Sequence, residues 1–103
     1  LKENIVDANS QWNDIKAVQV RNFNFKDDSS TKLLGVVAQE IESVSAGLVT
    51  DIPDKDPTTN EDLGTVTKTV KYSVLYMKAI KALQEAMARI ETLESKVATL
   101  EGS

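Results

Sequence analysis

The densest set of possible ligands in this chain is Asp54, Asp56, Asn60 and Asp62, an oxygen-rich group of the kind that holds calcium. Its spacing does not complete a calcium loop. Thr59 stands where the sharp turn needs glycine, and Thr65 where a bidentate acid is required. The group is read as a solvated surface loop. Glu40 and Glu42 are two residues apart and would leave a helix in different directions, so they make a poor acid/base pair. There is no cysteine and no histidine. That excludes disulfides, zinc sites of the usual kind, and Ser-His or Cys-His catalysis within the chain. No GxxxxGK or GxGxxG segment is present to cradle a phosphate. No cofactor or metal is expected.

Around these residues the chain reads as a small head followed by a helix. Ser10 to Ala17 is expected to be a short helix, capped by Ser10 or Asn13, with Trp12, Ile15 and Val18 near one face. Val18 and Val20 alternate, as do Phe23 and Phe25, but with opposite parity, which predicts a strand bent or bulged near Arg21 and Asn22. The polar turn KDDSST then leads into a second strand over Leu33 to Ala38, where Gly35 signals either a close backbone approach or a bulge. Gln39 to Val44 is expected to be a helical turn or two. Asp51 to Gly64 reads as a surface loop, and Val66, Val70 and Tyr72 as one face of a strand. Ser73 suits the N-cap of the final helix, and Gly102 its stop.

In that final helix Tyr76, Ala79, Leu83, Ala86, Ile90, Leu93, Val97 and Leu100 are spaced 3,4,3,4,3,4,3. This is a coiled-coil seam. With Tyr76, Leu83, Ile90 and Val97 at position a, the residues Ala79, Ala86, Leu93 and Leu100 fall at d, so β-branched a and leucine d coincide in the last two heptads. Arg89 and Lys96 become g, and Glu94 and Glu101 the following e, so each base meets an acid on a neighbouring parallel helix. Such exposed pairs contribute about 0.5 kcal/mol each and specify orientation more than strength. Glu85 and Arg89 add a favourable i,i+4 pair within one helix. In the first half two readings stand: the stripe, widened by Ile80 and Met87, packs on the chain's own head, or it belongs to the seam. From Ile90 onward it narrows to a and d and is read as an interface between copies. The a/d rule leans towards two strands.

The expected fold class is therefore α+β, with a small head of a few antiparallel strands and short helices over residues 1–72. Residues 73–103 form the helix of a parallel coiled coil. A head of that size buries a thin core, which favours association. The net charge of −4 and the lack of a long basic run speak against nucleic acid or an anionic membrane as partner. No apolar run has the length of a membrane span.

The order of LKENI (Leu1 to Ile5), FNFK, GVVAQEI (Gly35 to Ile41), the Leu48-Val49 pair and TVKYSVL (Thr69 to Leu75), running into the seam, resembles the endosialidase-type intramolecular chaperones. These are the self-cleaving C-terminal domains of phage tail fibres and tailspikes. The resemblance implies a Ser-Asp pair just upstream of Leu1 and a cut at that serine by a serine-lysine dyad, with Lys2 as the matching lysine. A serine hydroxyl can attack the preceding carbonyl when a neutral amine takes its proton. The matching serine is not among these residues, so the chain itself is expected to be inactive and the peptidase to belong to a full-length precursor. Gln39 and Glu40 match the AQE segment without an assigned role. Ala46 stands where the family often has proline, and Lys71 where an acid is common.

What the resemblance implies for function is a clamp that trimerises, registers the upstream fibre or tailspike domain of the same polypeptide, and is then released. It would act in the host cytoplasm during virion assembly and be absent from the mature fibre. Long β-rich trimers need non-local pairing and form slowly, so holding chains parallel lowers the association cost before pairing begins. The competing expectation is a permanent oligomerisation module without proteolysis.

Overall fold

The computed structural model describes residues 1–102. Residues 1–11 run without regular structure to α1 (Trp12–Ala17), followed by β1 (Arg21–Phe23), β2 (Leu33–Gly35), α2 (Ala38–Val44) and a 3₁₀ turn (Ala46–Leu48). The chain continues through β3 (Val49–Lys55) and β4 (Asp62–Val70) into α3 (Tyr72–Glu101). The strands form two separate antiparallel pairs, β1–β2 and β3–β4. The molecule is α+β and extended, 75 × 44 × 22 Å, because α3 projects well past the head.

The core sits where α2, the 3₁₀ turn and the start of α3 meet. Ile41 and Leu48 are 1% exposed and Leu75 8%, with Ile15, Val18, Val36, Val49 and Val70 packed around them. Each such aliphatic side chain stabilises the fold by about 1.5–3 kcal/mol on burial, so the head's core is small. The backbone amide of Lys71 donates to the carbonyl of Leu48 at 2.7 Å, which ties the β4–α3 junction to that core. Arg21 adds a lateral tie from β1 to α2. Its guanidinium donates to both carboxylate oxygens of Glu40, at 3.0 and 2.7 Å, and this bidentate contact lowers the Glu40 pKa and raises that of Arg21.

Several local expectations are revised. The opposite parity around Arg21 is resolved without a bulge: β1 is only Arg21–Phe23, in regular register with Gly35, Leu34 and Leu33. Val18 instead ends α1 and turns to the core, while Phe25 lies beyond the strand, edge-on to Phe23 at 5.9 Å. Gly35 marks a close approach, since a Cβ there would stand 3.2 Å from the Phe23 ring. Asp51 to Gly64 is no simple loop. Most of it belongs to the β3–β4 hairpin, whose register shifts between Pro53 and Lys55. Proline is tolerated because a two-stranded sheet is all edge. The acids of the tip supply the turn: Asp56 accepts from the amides of Thr58 and Thr59 at 2.7 and 3.0 Å, Asn60 takes a left-handed conformation at φ 61°, and Asp54 accepts from the hydroxyls of Thr65 and Thr67. These hydrogen bonds hold the carboxyls of Asp54 and Asp56 below their ordinary range. At the start of α3, Tyr72 is already helical and no side chain caps the end, so Ser73 lies inside the first turn.

Candidate functional site

The heptad stripe and the face of α3 that touches the head lie side by side and meet at the groove against α1. Leu75 and Ala82 are buried at 8% and 7%. Lys78, Glu85 and Arg89 continue their line at the same alternating spacing, and all three meet residues of α1 or the turn before it. In the heptad frame these residues occupy g and c, beside the seam rather than on it. The seam is left open: Tyr76, Leu83, Ile90, Leu93, Val97 and Leu100 are 51% to 74% exposed. Ala79 is exposed, and Ala86 is half-buried at the margin of α1. The first half of the stripe is therefore shared: Tyr76 and Leu83 are exposed, while Ala79, Leu83 and Ala86 border the groove against α1.

The α1 contact is mostly polar. Glu85 accepts from the hydroxyl of Ser10 and from the backbone amide of Gln11, the latter at 2.7 Å. It thus adds from across the interface to Ser10, whose hydroxyl accepts from the Trp12 amide at 3.4 Å; the N-cap residue Gln11 makes no side-chain cap bond, and Asn13 lies inside α1. The two bonds to Glu85, with a smaller contribution from Lys81 and Arg89, hold its carboxyl below its ordinary range. Lys78 donates to Gln11 at 2.8 Å and pairs with Asp14 at 3.1 Å. The Arg89 guanidinium lies 3.6 Å from the centre of the Trp12 ring, a cation–π stack. Between α1 and α3 runs an apolar groove of about 410 Å³, with Trp12, Ile15 and Lys16 on one wall and Ala79, Ala82, Leu83 and Ala86 on the other.

The remaining expected site residues are scattered. Lys2 lies in exposed, irregular chain far in sequence from any element. Glu94, Lys96 and Glu101 are exposed along the distal half of α3, and Arg89, expected to pair with Glu94 of a neighbour, already has Trp12 as a partner within its own chain. Gln39 is exposed at the start of α2, and Glu40 serves the tie to Arg21. Among the described residues no group of acids is placed to hold a metal, and no helix is long and apolar enough to cross a membrane. The sequence reading missed the line Lys78, Glu85 and Arg89, which looks like an ordinary solvated face. Its only signal was Leu75 and Ala82, each one position before an a residue.

The molecule is thus a small α+β head whose long helix keeps an exposed heptad stripe. The model of the family described as chaperone of endosialidase, Peptidase_S74, matches residues 1–50, so this part of the chain is similar to that family. The matched segment holds Lys2, α1, the β1–β2 pair and α2, and stops as β3 begins. No curated protein matches the chain. The match supports a chaperone role.

Proposed function

We propose that this chain is the clamp of an intramolecular chaperone: its α3 helices wind in parallel, as a trimer, and hold the upstream fibre or tailspike domains in register until they fold. The observation that carries the reading is the continuous open seam from Tyr76 to Leu100, flanked but not covered by the head. An exposed apolar stripe of this length on an otherwise charged helix calls for copies of itself, and an isolated helix half is marginal in water. Residues 1–11 lead into α1, which docks on α3, so the polypeptide arriving from upstream is delivered beside the helix that sets the register.

Release by a serine-lysine dyad is the finer part of the proposal, with Lys2 as the base and the serine in the precursor. Sedimentation of the chain tests the clamp, and a mass of three copies is expected. In a precursor carrying the upstream segment, Lys2→Ala is expected to leave the chain uncut yet still assembled. Normal cleavage by that variant would remove Lys2 from the dyad, and an uncut wild-type precursor would leave a permanent oligomerisation module.

A further inference from the structure

The g-to-e rule that pairs Arg89 with Glu94 and Lys96 with Glu101 of a neighbour also applies nearer the head, where the residues are not charged. One heptad earlier it sets Ala82 opposite Met87 of the next copy. Ala82 is the floor of the groove between α1 and α3, walled by Trp12 and Ile15 and lined by the small side chains of Ala79 and Ala86. We infer that this groove is a socket for Met87 of a second copy of the chain, so that each protomer's α1 closes over its neighbour's helix. The inference rests on the parallel assembly proposed above.

Size and charge agree with that occupant. Three alanines beside Leu83 on the helix side leave about 410 Å³ open, and methionine is the flexible, polarisable side chain that fills such irregular space and favours aromatic neighbours. Met87 itself is 50% exposed and contacts no core. Along its own face of α3 the neutral Gln84 precedes it at i−3, Glu91 follows at i+4 and Glu94 one heptad on, whereas the socket is bordered by Lys16 and Arg89. An acidic flank therefore meets a basic rim, with no like charges brought together at the inserted side chain. The charged g-to-e pairs of the distal heptads would thus give way near the head to an apolar peg and hole, with Trp12 as its lid.

Trp12 is the single tryptophan and the chain has no cysteine, which makes the contact directly readable. A chain carrying Trp12→Phe and Met87→Cys, with a nitroxide on the new thiol, is refolded together with unlabelled wild-type chain. Only a neighbour can then quench Trp12. Emission of the mixed oligomers is expected to fall severalfold, while the same label at Ser95, on the side of α3 away from the seam, leaves it unchanged. Mixed oligomers of normal mass with undiminished emission would overturn the socket and leave the parallel clamp standing. A wild-type chain that stays monomeric at high concentration would overturn the clamp itself. Should the labelled chain be excluded from mixed oligomers, unlabelled Met87→Ala is read instead: a red-shifted Trp12 emission at unchanged mass is expected, and an unshifted spectrum would overturn the socket.

Discussion

The two halves of α3 carry the same heptad repeat and live in different surroundings. From Tyr72 to Ala86 the helix is braced on one flank, with Leu75 and Ala82 buried against the head and Glu85 bonded to the start of α1. From Met87 to Gly102 every residue is exposed, and Arg89 stacks on Trp12 of the head. The difference teaches what each half depends on. The braced half has contacts within its own chain besides the stripe, so its stability should vary less with concentration. The distal half has only helix propensity and the seam, so its order is linked to assembly by mass action.

The largest effect on this contrast is expected from Ile90→Asp combined with Val97→Asp. Each aspartate would place an unpaired charge in the seam at a cost of about 3–5 kcal/mol per site. Sedimentation should show dissociation, circular dichroism should lose the helix signal of the distal half, and the head should still fold. An unchanged mass would show that the seam is not the interface. Leu48→Ala acts on the other side of the comparison. It empties a fully buried position next to Ile41 and Leu75, and should destabilise the head by about 2–5 kcal/mol in denaturant titration. Because the seam runs beside that core rather than through it, the helices should still associate. Loss of both together would mean that the halves fold as one unit.

These dependences explain which parts of the molecule could be read from sequence. The long helix and its apolar stripe were legible because hydrophobic periodicity is a strong signal over several heptads, and α1 and α2 because their short apolar spacing and flanking breaks were intact. The β3–β4 hairpin was not. Its residues Asp54, Asp56, Asn60 and Asp62 have loop composition, yet the three acids bond to Thr65, Thr67 and backbone amides of the hairpin itself. The dock of α1 on α3 was equally silent, since Lys78, Glu85 and Arg89 bind through charge and stacking, which leave no apolar pattern. Lys2 came from the segment LKENI alone, and the fold adds no neighbour that would identify it.

A smaller test bears on the head's outer edge. Gly35→Ala would bring a methyl group to 3.2 Å from the Phe23 ring. The ring must move by a few tenths of an ångström and disturb its edge contact with Phe25, so a destabilisation of about 1 kcal/mol is expected. Thermal unfolding of the head reports it. Association through α3 should be untouched, because the change is confined to the β1–β2 pair and the seam lies on the helix.

The finest distinction between the halves is the polar dock, and acid should open it without melting the helix. The Ser10 hydroxyl and the Gln11 amide bond to the ionised carboxylate of Glu85 and hold its pKa below the ordinary value of 4.5. A carboxyl depressed on folding stabilises the docked form above that ordinary value, and the contribution is lost as pH falls through the lower, folded value. Below about pH 4.5, α1 should therefore begin to leave α3, seen as a red shift of Trp12 emission. The measurement is cleanest in the Ile90→Asp, Val97→Asp background, where assembly adds nothing to the signal. Glu85→Gln keeps an oxygen acceptor but has no charge to lose, so its Trp12 emission should already be partly shifted at neutral pH and should change less on acidification. Identical titrations of the two chains would mean that Glu85 does not hold the dock, and that Trp12 stays in place through Arg89 and the Lys78–Asp14 pair.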